Sequence, residues 1–370
     1  MATTSSRPAV AEALASAPQP TAMAVLRFAA AAYLCFVLVL GTFRSYPEMV
    51  RHSRDNESYI EIASGLRHWD RSQMNARHFW GLPYVIAGLE LATGLPGAAA
   101  LALICLVSSG VTLWLATKLW GGWIAAWLAV INWDWIMRSV VGGAEPLFMA
   151  LLCASFLAER KQRSAVAVVA AALATTVRPV GILALAALAL VWMGQRNYRK
   201  VIVAAAITIC VAVAYLVPMA MVFGNAWANV ASYQTDWQGR SPVFVPFVQM
   251  VRSVHPPATN ILKIGAWVAF TLVAVVMMFC SRAYRKFAHE HYAEAAFATL
   301  YLLFLFSYNS PWAWAEFPRL VIPALPMILL AVEQWIPRNW KMVWVLGTVS
   351  AVLAAVSAVG LPNVIRAIRS

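Results

Sequence analysis

The chain has 370 residues, 62% of them hydrophobic and only 12% charged, with 17 tryptophans and a mean hydropathy of +0.70. That apolar surface exceeds what a soluble core of this length can hide, so the composition excludes an ordinary soluble domain and indicates a polytopic, all-α integral membrane protein. The net charge of +13 does not point to nucleic acid, because the basic residues flank apolar segments, where they orient spans and meet anionic headgroups.

Residues 1–21, rich in Ala, Ser, Thr and Pro without a hydrophobic pattern, are expected to form a disordered tail, and 22–370 a single transmembrane domain. The first apolar segment, 22–42, reads as an uncleaved anchor, since further spans follow it and no small-residue cleavage site does. The loop 43–96 comes next and contains Asp55, Glu57 and Glu61, three carboxylates within seven positions of a chain with only 15 acidic residues. Inside it, 78–94 is expected to lie along the membrane surface as a juxtamembrane helix, with Trp80 and Tyr84 at headgroup level.

A spanning helix needs roughly 20 mostly apolar residues. Spans are predicted at 97–117, 121–135, 144–158, 165–177, 179–193, 201–223, 260–281, 294–308, 318–335 and 342–361, about eleven with the first. Pro179, directly after Arg178, removes a backbone donor and favours a break, so 165–193 reads as a helical hairpin.

Basic residues cluster at Arg160, Lys161 and Arg163, at Arg196, Arg199 and Lys200, at Arg282, Arg285 and Lys286, and at Arg338 and Lys341. The positive-inside rule puts these connections in the cytoplasm and the loop 43–96 outside. Asp55, Glu57, Glu61, Asp70, Asp134, Glu145, Asp236 and Glu316 then fall on the outer side. A transporter would place ionisable residues near mid-span, whereas here the centres of the spans are almost free of them, which argues for chemistry at the outer face. The five cysteines sit far apart in apolar stretches without zinc or redox spacing, as core packing does.

Four stretches, in this order, resemble the GT-C class of polytopic glycosyltransferases. Asp55, Glu57, Tyr59, Ile62 and Ala63 fit its acid-Tyr-Ile-Ala pattern in the first outer loop. Ala144, Glu145, Pro146, Leu147 and Phe148 resemble the small-acid-Pro-Leu-Phe start of the mannosyltransferase-like (PMT-like) branches. The stretch Ala170 to Ile182, with Thr175, Thr176, Val177, Arg178, Pro179, Val180 and Gly181, is similar to the Leu-Thr-Arg-Pro-x-Gly hairpin of these enzymes, and Pro318 to Pro326 resembles their late Arg-Tyr-hydrophobic-Pro-x-Leu-Pro segment. Together they cover most of 22–335. Leu320 replaces the usual Tyr and Asn56 interrupts a commoner paired acid, which leaves the subfamily open.

The resemblance implies a GT-C-like bundle with outer juxtamembrane helices in the first loop. It also implies transfer of a hexose or pentose from a polyprenyl-phosphate donor to an acceptor hydroxyl at the periplasmic face of a bacterial inner membrane, with inversion. Asp55 would be the base, a contribution typically of about 10²-fold to 10⁴-fold. A phosphate leaves without a proton, so no second carboxylic acid is required, unlike glycoside hydrolysis. Arg178 and Arg319 would clamp the phosphate from separate spans, with Arg77 and His78 as further candidates. Glu57, Tyr59, Glu145, Asp134, Asp236 and Glu316 would support these groups or bind the acceptor, whose nature is open. No ligand spacing marks a metal site; a divalent ion near the outer acids, used by some relatives, stays open.

Each residue has a plainer reading. Asp55 would be solvating a loop among Arg51, Arg54 and Arg67, Glu145 would be a charge favoured at a helix N-terminus, Arg178 and Arg319 would be snorkelling, and the tryptophans beside Asp134 and Asp236 would be an interfacial belt. The competing function is a transporter or flippase of lipid-linked sugars.

Overall fold

In the computed structural model the described residues are 18–43, 45–53, 55–236, 243, 245–254 and 258–359, with the side chains of 233–236, 258–260 and 358–359 also outside the description. The expected tail therefore lies, up to residue 17, outside the described residues. Among the described residues there is no strand, and one isolated bridge pairs Val243 with Tyr308.

The helices run as α1 (Ala22–Gly41), α2 (Tyr46–Arg51), α3 (Asn56–His68), α4 (Gly81–Thr93), α5 (Gly97–Trp120), α6 (Gly122–Val130), α7 (Trp133–Val140), α8 (Glu145–Arg160), α9 (Ser164–Val177), α10 (Ile182–Gly194) and α11 (Tyr198–Phe223). They continue as α12 (Ala228–Asp236), α13 (Val248–Arg252), α14 (Ala258–Cys280), α15 (Arg282–Glu290), α16 (Tyr292–Ser307), α17 (Phe317–Leu320), α18 (Leu325–Ala331) and α19 (Trp340–Val359).

Among the described residues, five helices, α1, α5, α11, α14 and α19, are long and apolar enough to cross a membrane, and α7 with α8, bent by 101° at their junction, make a sixth if taken as one broken span. Shorter apolar helices occupy Gly81–Thr93, Ser164–Val177, Pro179–Gly194, Tyr292–Ser307 and Phe317–Ala331. The chain is thus a multi-pass membrane protein. Helix α11 shows why water is the wrong solvent for it: Ile202, Ile209, Val213, Val217 and Met221 are all exposed, an uncovered apolar face that matches hydrocarbon.

Two expected spans are interrupted. Within 121–135 the helix stops at Val130, because the Asn132 side chain accepts from the amides of Asp134 and Trp135 at 2.8 and 3.2 Å and starts a new helix, α7. Within 318–335, Pro323 and Pro326 cannot donate backbone hydrogen bonds, and the segment divides into α17, a 3-10 turn at Ile322–Ala324, α18 and a second turn at Glu333–Trp335. The break expected after Arg178 is present: Arg178 is extended, between α9 and a 3-10 turn at Pro179–Gly181.

Buried polar bonds pin the broken elements together. Asn132 Nδ2 donates to the Pro318 carbonyl at 2.7 Å, Trp135 Nε1 to Tyr33 Oη at 2.8 Å, and Tyr301 Oη to the Leu320 carbonyl at 2.6 Å. Helix α8 carries Glu145 at one end and Arg160 at the other, about 24 Å apart for its length at 1.5 Å per residue. At the Arg160 end the guanidinium pairs with Glu294 of α16 at 2.7 Å, and Trp192 of α10 donates to Glu159 at 2.8 Å.

Candidate active site

The site is assembled where three breaks in the helical path meet. The first is the start of α3. Asn56 is fully buried, and its Nδ2 donates to the carbonyls of Val50 at 2.8 Å and Val141 at 3.1 Å, tying this helix to the α7–α8 junction. A carboxylate has no hydrogens to donate in that position, which explains the amide where the family pattern has a second acid. Asp55 is the N-cap of α3, yet its carboxylate makes no capping bond and instead accepts from Arg319 Nη2 at 3.0 Å.

The second break is the α7–α8 junction, where Gly142 and Gly143 have φ values of +126° and +157°, a region side-chain-bearing residues rarely adopt. It turns the chain so that Arg138, in the last turn of α7, and Glu145, in the first of α8, face one another with both side chains fully buried and 3.9 Å between Arg138 Nε and Glu145 Oε2. The third is the pair of proline-marked breaks that deliver Arg178 and Arg319. Glu145 Oε1 accepts from Arg178 Nη1 at 2.8 Å and from Arg319 Nε. Arg319 Nη1 reaches Glu316 Oε2 at 3.3 Å.

Glu145 is therefore surrounded by three guanidinium groups and Arg319 by three carboxylates. Exposure grades outward: none for Arg138 and Glu145, 12–14% for Arg319 and Arg178, and 23% and 31% for the side chains of Glu316 and Asp55 at the mouth. Burial alone would raise the Asp55 pKa, but Arg319, Arg138 and His78 outweigh it and hold the carboxyl below its usual value. Burial also lowers the His78 pKa, against the pull of Asp55. Its ring lies edge-on to buried Tyr59, 5.3 Å between centroids.

Of the residues singled out in the sequence, Asp55, Glu145, Arg178, Glu316 and Arg319 are joined directly, with Tyr59 and His78 alongside. Arg77 is exposed in the loop next to His78. Glu57 faces away from Asp55, 3.9 Å from His52, beside a shallow polar pocket of about 460 Å³ that Arg51 and Glu61 also border. Asp134 is buried one turn before Arg138, and their i,i+4 spacing puts both on one face of α7. Asp236 ends α12, and its side chain lies outside the described residues. Among the described residues, no group of three or more His, Cys, Asp or Glu side chains is arranged to hold a metal ion.

Arg138 is the member that sequence reasoning misses. It falls between two expected spans, and the signal that would have found it is an arginine in an apolar run followed by Gly142, Gly143 and Glu145. A larger cavity, about 900 Å³, is walled by Leu190, Val275, Met278 and Leu302 and opens beside Arg285 and His289. Its rim residues adjoin the start of α16, where Glu294 binds Arg160, so this opening belongs to the end of the bundle remote from Glu145.

No protein-family model and no curated protein matches the chain. Among solved structures, the fold is similar to the crystal structure of ArnT from Cupriavidus metallidurans bound to undecaprenyl phosphate, with a TM-score of 0.52 and 15% identity over 85% of this chain. The chain spans 61% of that neighbour's length. The likeness establishes the fold: an all-α, GT-C-like membrane bundle, as the motif resemblance implies.

Proposed function

We propose that this chain is a membrane glycosyltransferase that moves a sugar from a polyprenyl-phosphate donor to an acceptor hydroxyl, with Asp55 as the base. The observation that carries this reading is the Asp55 carboxylate lying 3.0 Å from Arg319, a cation held beside Arg178 by their shared partner Glu145. Base and phosphate clamp thus stand side by side at the mouth of an otherwise buried cluster. The ligand of the ArnT structure, undecaprenyl phosphate, supports a polyprenyl phosphate as the lipid partner.

The chemistry follows from the groups present. Asp55 accepts the proton of the acceptor hydroxyl as its oxygen forms a bond to the anomeric carbon. The bond from that carbon to the phosphate oxygen breaks, and its electrons leave on the polyprenyl phosphate, whose growing charge faces Arg178 and Arg319. A single displacement inverts the anomeric centre. Placing this face on the periplasmic side of a bacterial inner membrane rests on the basic connections at the other end of the bundle.

The test is transfer of labelled sugar from a polyprenyl-phosphate donor in membranes holding wild-type or Asp55→Asn protein. Removing the base is expected to reduce transfer at least about 10²-fold at normal protein levels. Full activity in the variant would remove Asp55 from the mechanism, and lipid movement without a covalent product would turn the reading toward a flippase.

A further inference from the structure

Arg319 is fixed on one side and exchangeable on the other. Its Nε is committed to Glu145, a fully buried carboxylate that Arg178 holds at 2.8 Å and Arg138 faces at 3.9 Å, so this anchor has no freedom to follow a moving guanidinium. The Nη edge points the other way, to Asp55 at 3.0 Å and Glu316 at 3.3 Å, the two most exposed carboxylates of the cluster. A guanidinium presents its five hydrogens in a fixed plane, and the edge that grips a phosphate in bidentate fashion is the same edge that grips these carboxylates.

Asp55 and a donor phosphate are therefore rivals for one surface. While Arg319 Nη2 donates to Asp55 Oδ2, the guanidinium stabilises the carboxylate's negative charge and so weakens Asp55 as a proton acceptor. The lowered pKa of Asp55 agrees with this geometry. A phosphate arriving at the Nη edge meets an arginine already anchored through Nε, and it can take the Nη2 hydrogens without Arg319 leaving its place.

We propose that Arg319 is a latch on the catalytic carboxylate: the donor's phosphate displaces Asp55 from Arg319 and so releases the base only when a donor is present. This rests on the reading of Asp55 as base and Arg319 as clamp. Arg319 then has two roles, a catalytic one toward the phosphate and a positioning one toward Asp55. The cycle closes by the same contact. After transfer Asp55 carries the acceptor's proton, and once polyprenyl phosphate departs, the return of Asp55 to Arg319 Nη2 drives that proton to water and re-forms the ion pair.

The latch makes donor binding and the Asp55–Arg319 bond mutually exclusive, which a thermodynamic cycle reads directly. Undecaprenyl phosphate is titrated against the purified full chain in lipid nanodiscs, as wild type, Asp55→Asn, Arg319→Gln and the double variant, with Arg178→Gln as a second background. Asp55→Asn is expected to tighten binding about tenfold in the wild-type and Arg178→Gln backgrounds and to leave it unchanged in Arg319→Gln, a coupling in the usual range. An equal gain in all three backgrounds is general charge relief and overturns the latch, as does no gain in wild type. Should Arg319→Gln fail to accumulate, Arg319→Lys replaces it, where the fork is lost and the gain should fall to about twofold or less; an undiminished gain there is equally fatal. A wild-type protein that does not bind undecaprenyl phosphate sinks the glycosyltransferase reading itself, whereas binding without coupling sinks only the latch.

Discussion

Glu145 sets the charge balance at the residue scale, because it is the one carboxylate that all three arginines share. Glu145→Gln leaves Arg138 in a fully buried position opposite an amide, and loss of one partner from a buried pair costs about 3–5 kcal/mol. Thermal unfolding should show that loss, with transfer abolished, while Glu316→Gln, at the 23% exposed rim, should cost about 1 kcal/mol or less. Asp55 adds a pH signature. Its folded pKa lies below the unfolded value of about 3.9, so the ion pair stabilises the fold fully above that value and loses its contribution as pH falls through the folded pKa. The stability difference between wild type and Asp55→Asn should accordingly be flat from pH 7 to about 5 and shrink below about 4; a difference already fading at pH 6 would contradict the depressed carboxyl. Chain motifs pointed to Asp55, Arg178 and Arg319, since each sits at a local pattern of its own. They did not reveal Glu145 as the shared partner, nor Arg138 and Asn56, because those roles exist only where distant segments meet.

Elements contribute through their interruptions. The junction of α7 and α8 turns by 101° at Gly142 and Gly143, and a Cβ on Gly143 would lie 2.5 Å from Arg138 Cδ and 2.6 Å from Glu145 Oε2. Gly143→Ala therefore combines backbone strain, of order 1–3 kcal/mol, with a collision inside the ion cluster. Transfer should fall as far as in Glu145→Gln. Gly88→Ala, in helical α4 with nothing within 4 Å of the new methyl, should keep full activity and gain up to about 1 kcal/mol in unfolding experiments. Normal transfer by Gly143→Ala would show that the junction need not hold this shape. The break after Arg178 was legible because proline announces it. The break at Asn132 was not, since one amide in an apolar run reads as tolerated within a span until its side chain is seen capping α7.

The whole molecule separates two electrostatic surfaces along α8. One end holds the neutralised cluster around Glu145, and the other, about 24 Å away, holds Arg160 near the basic rim of Arg285 and His289. The positive-inside rule counts Lys and Arg in short connections near span ends, as at Arg160, Lys161, Arg163 and Arg285, whereas Arg138, Arg178 and Arg319 lie in breaks within the bundle and not in such connections. The proposed site should then face the periplasm. Cysteine placed at Glu57, whose side chain is 55% exposed near the start of α3, should react with a charged, membrane-impermeant maleimide in intact spheroplasts. Cysteine at Arg285, on the opposite rim, should react only after permeabilisation. The native cysteines supply the background: Cys35, Cys210 and Cys280 are exposed on apolar helices, where hydrocarbon would shield them from a charged reagent, and Cys105 and Cys153 are buried. The reverse labelling pattern would put the cluster in the cytoplasm, and a donor presented from the periplasmic leaflet would then be unable to reach Arg319.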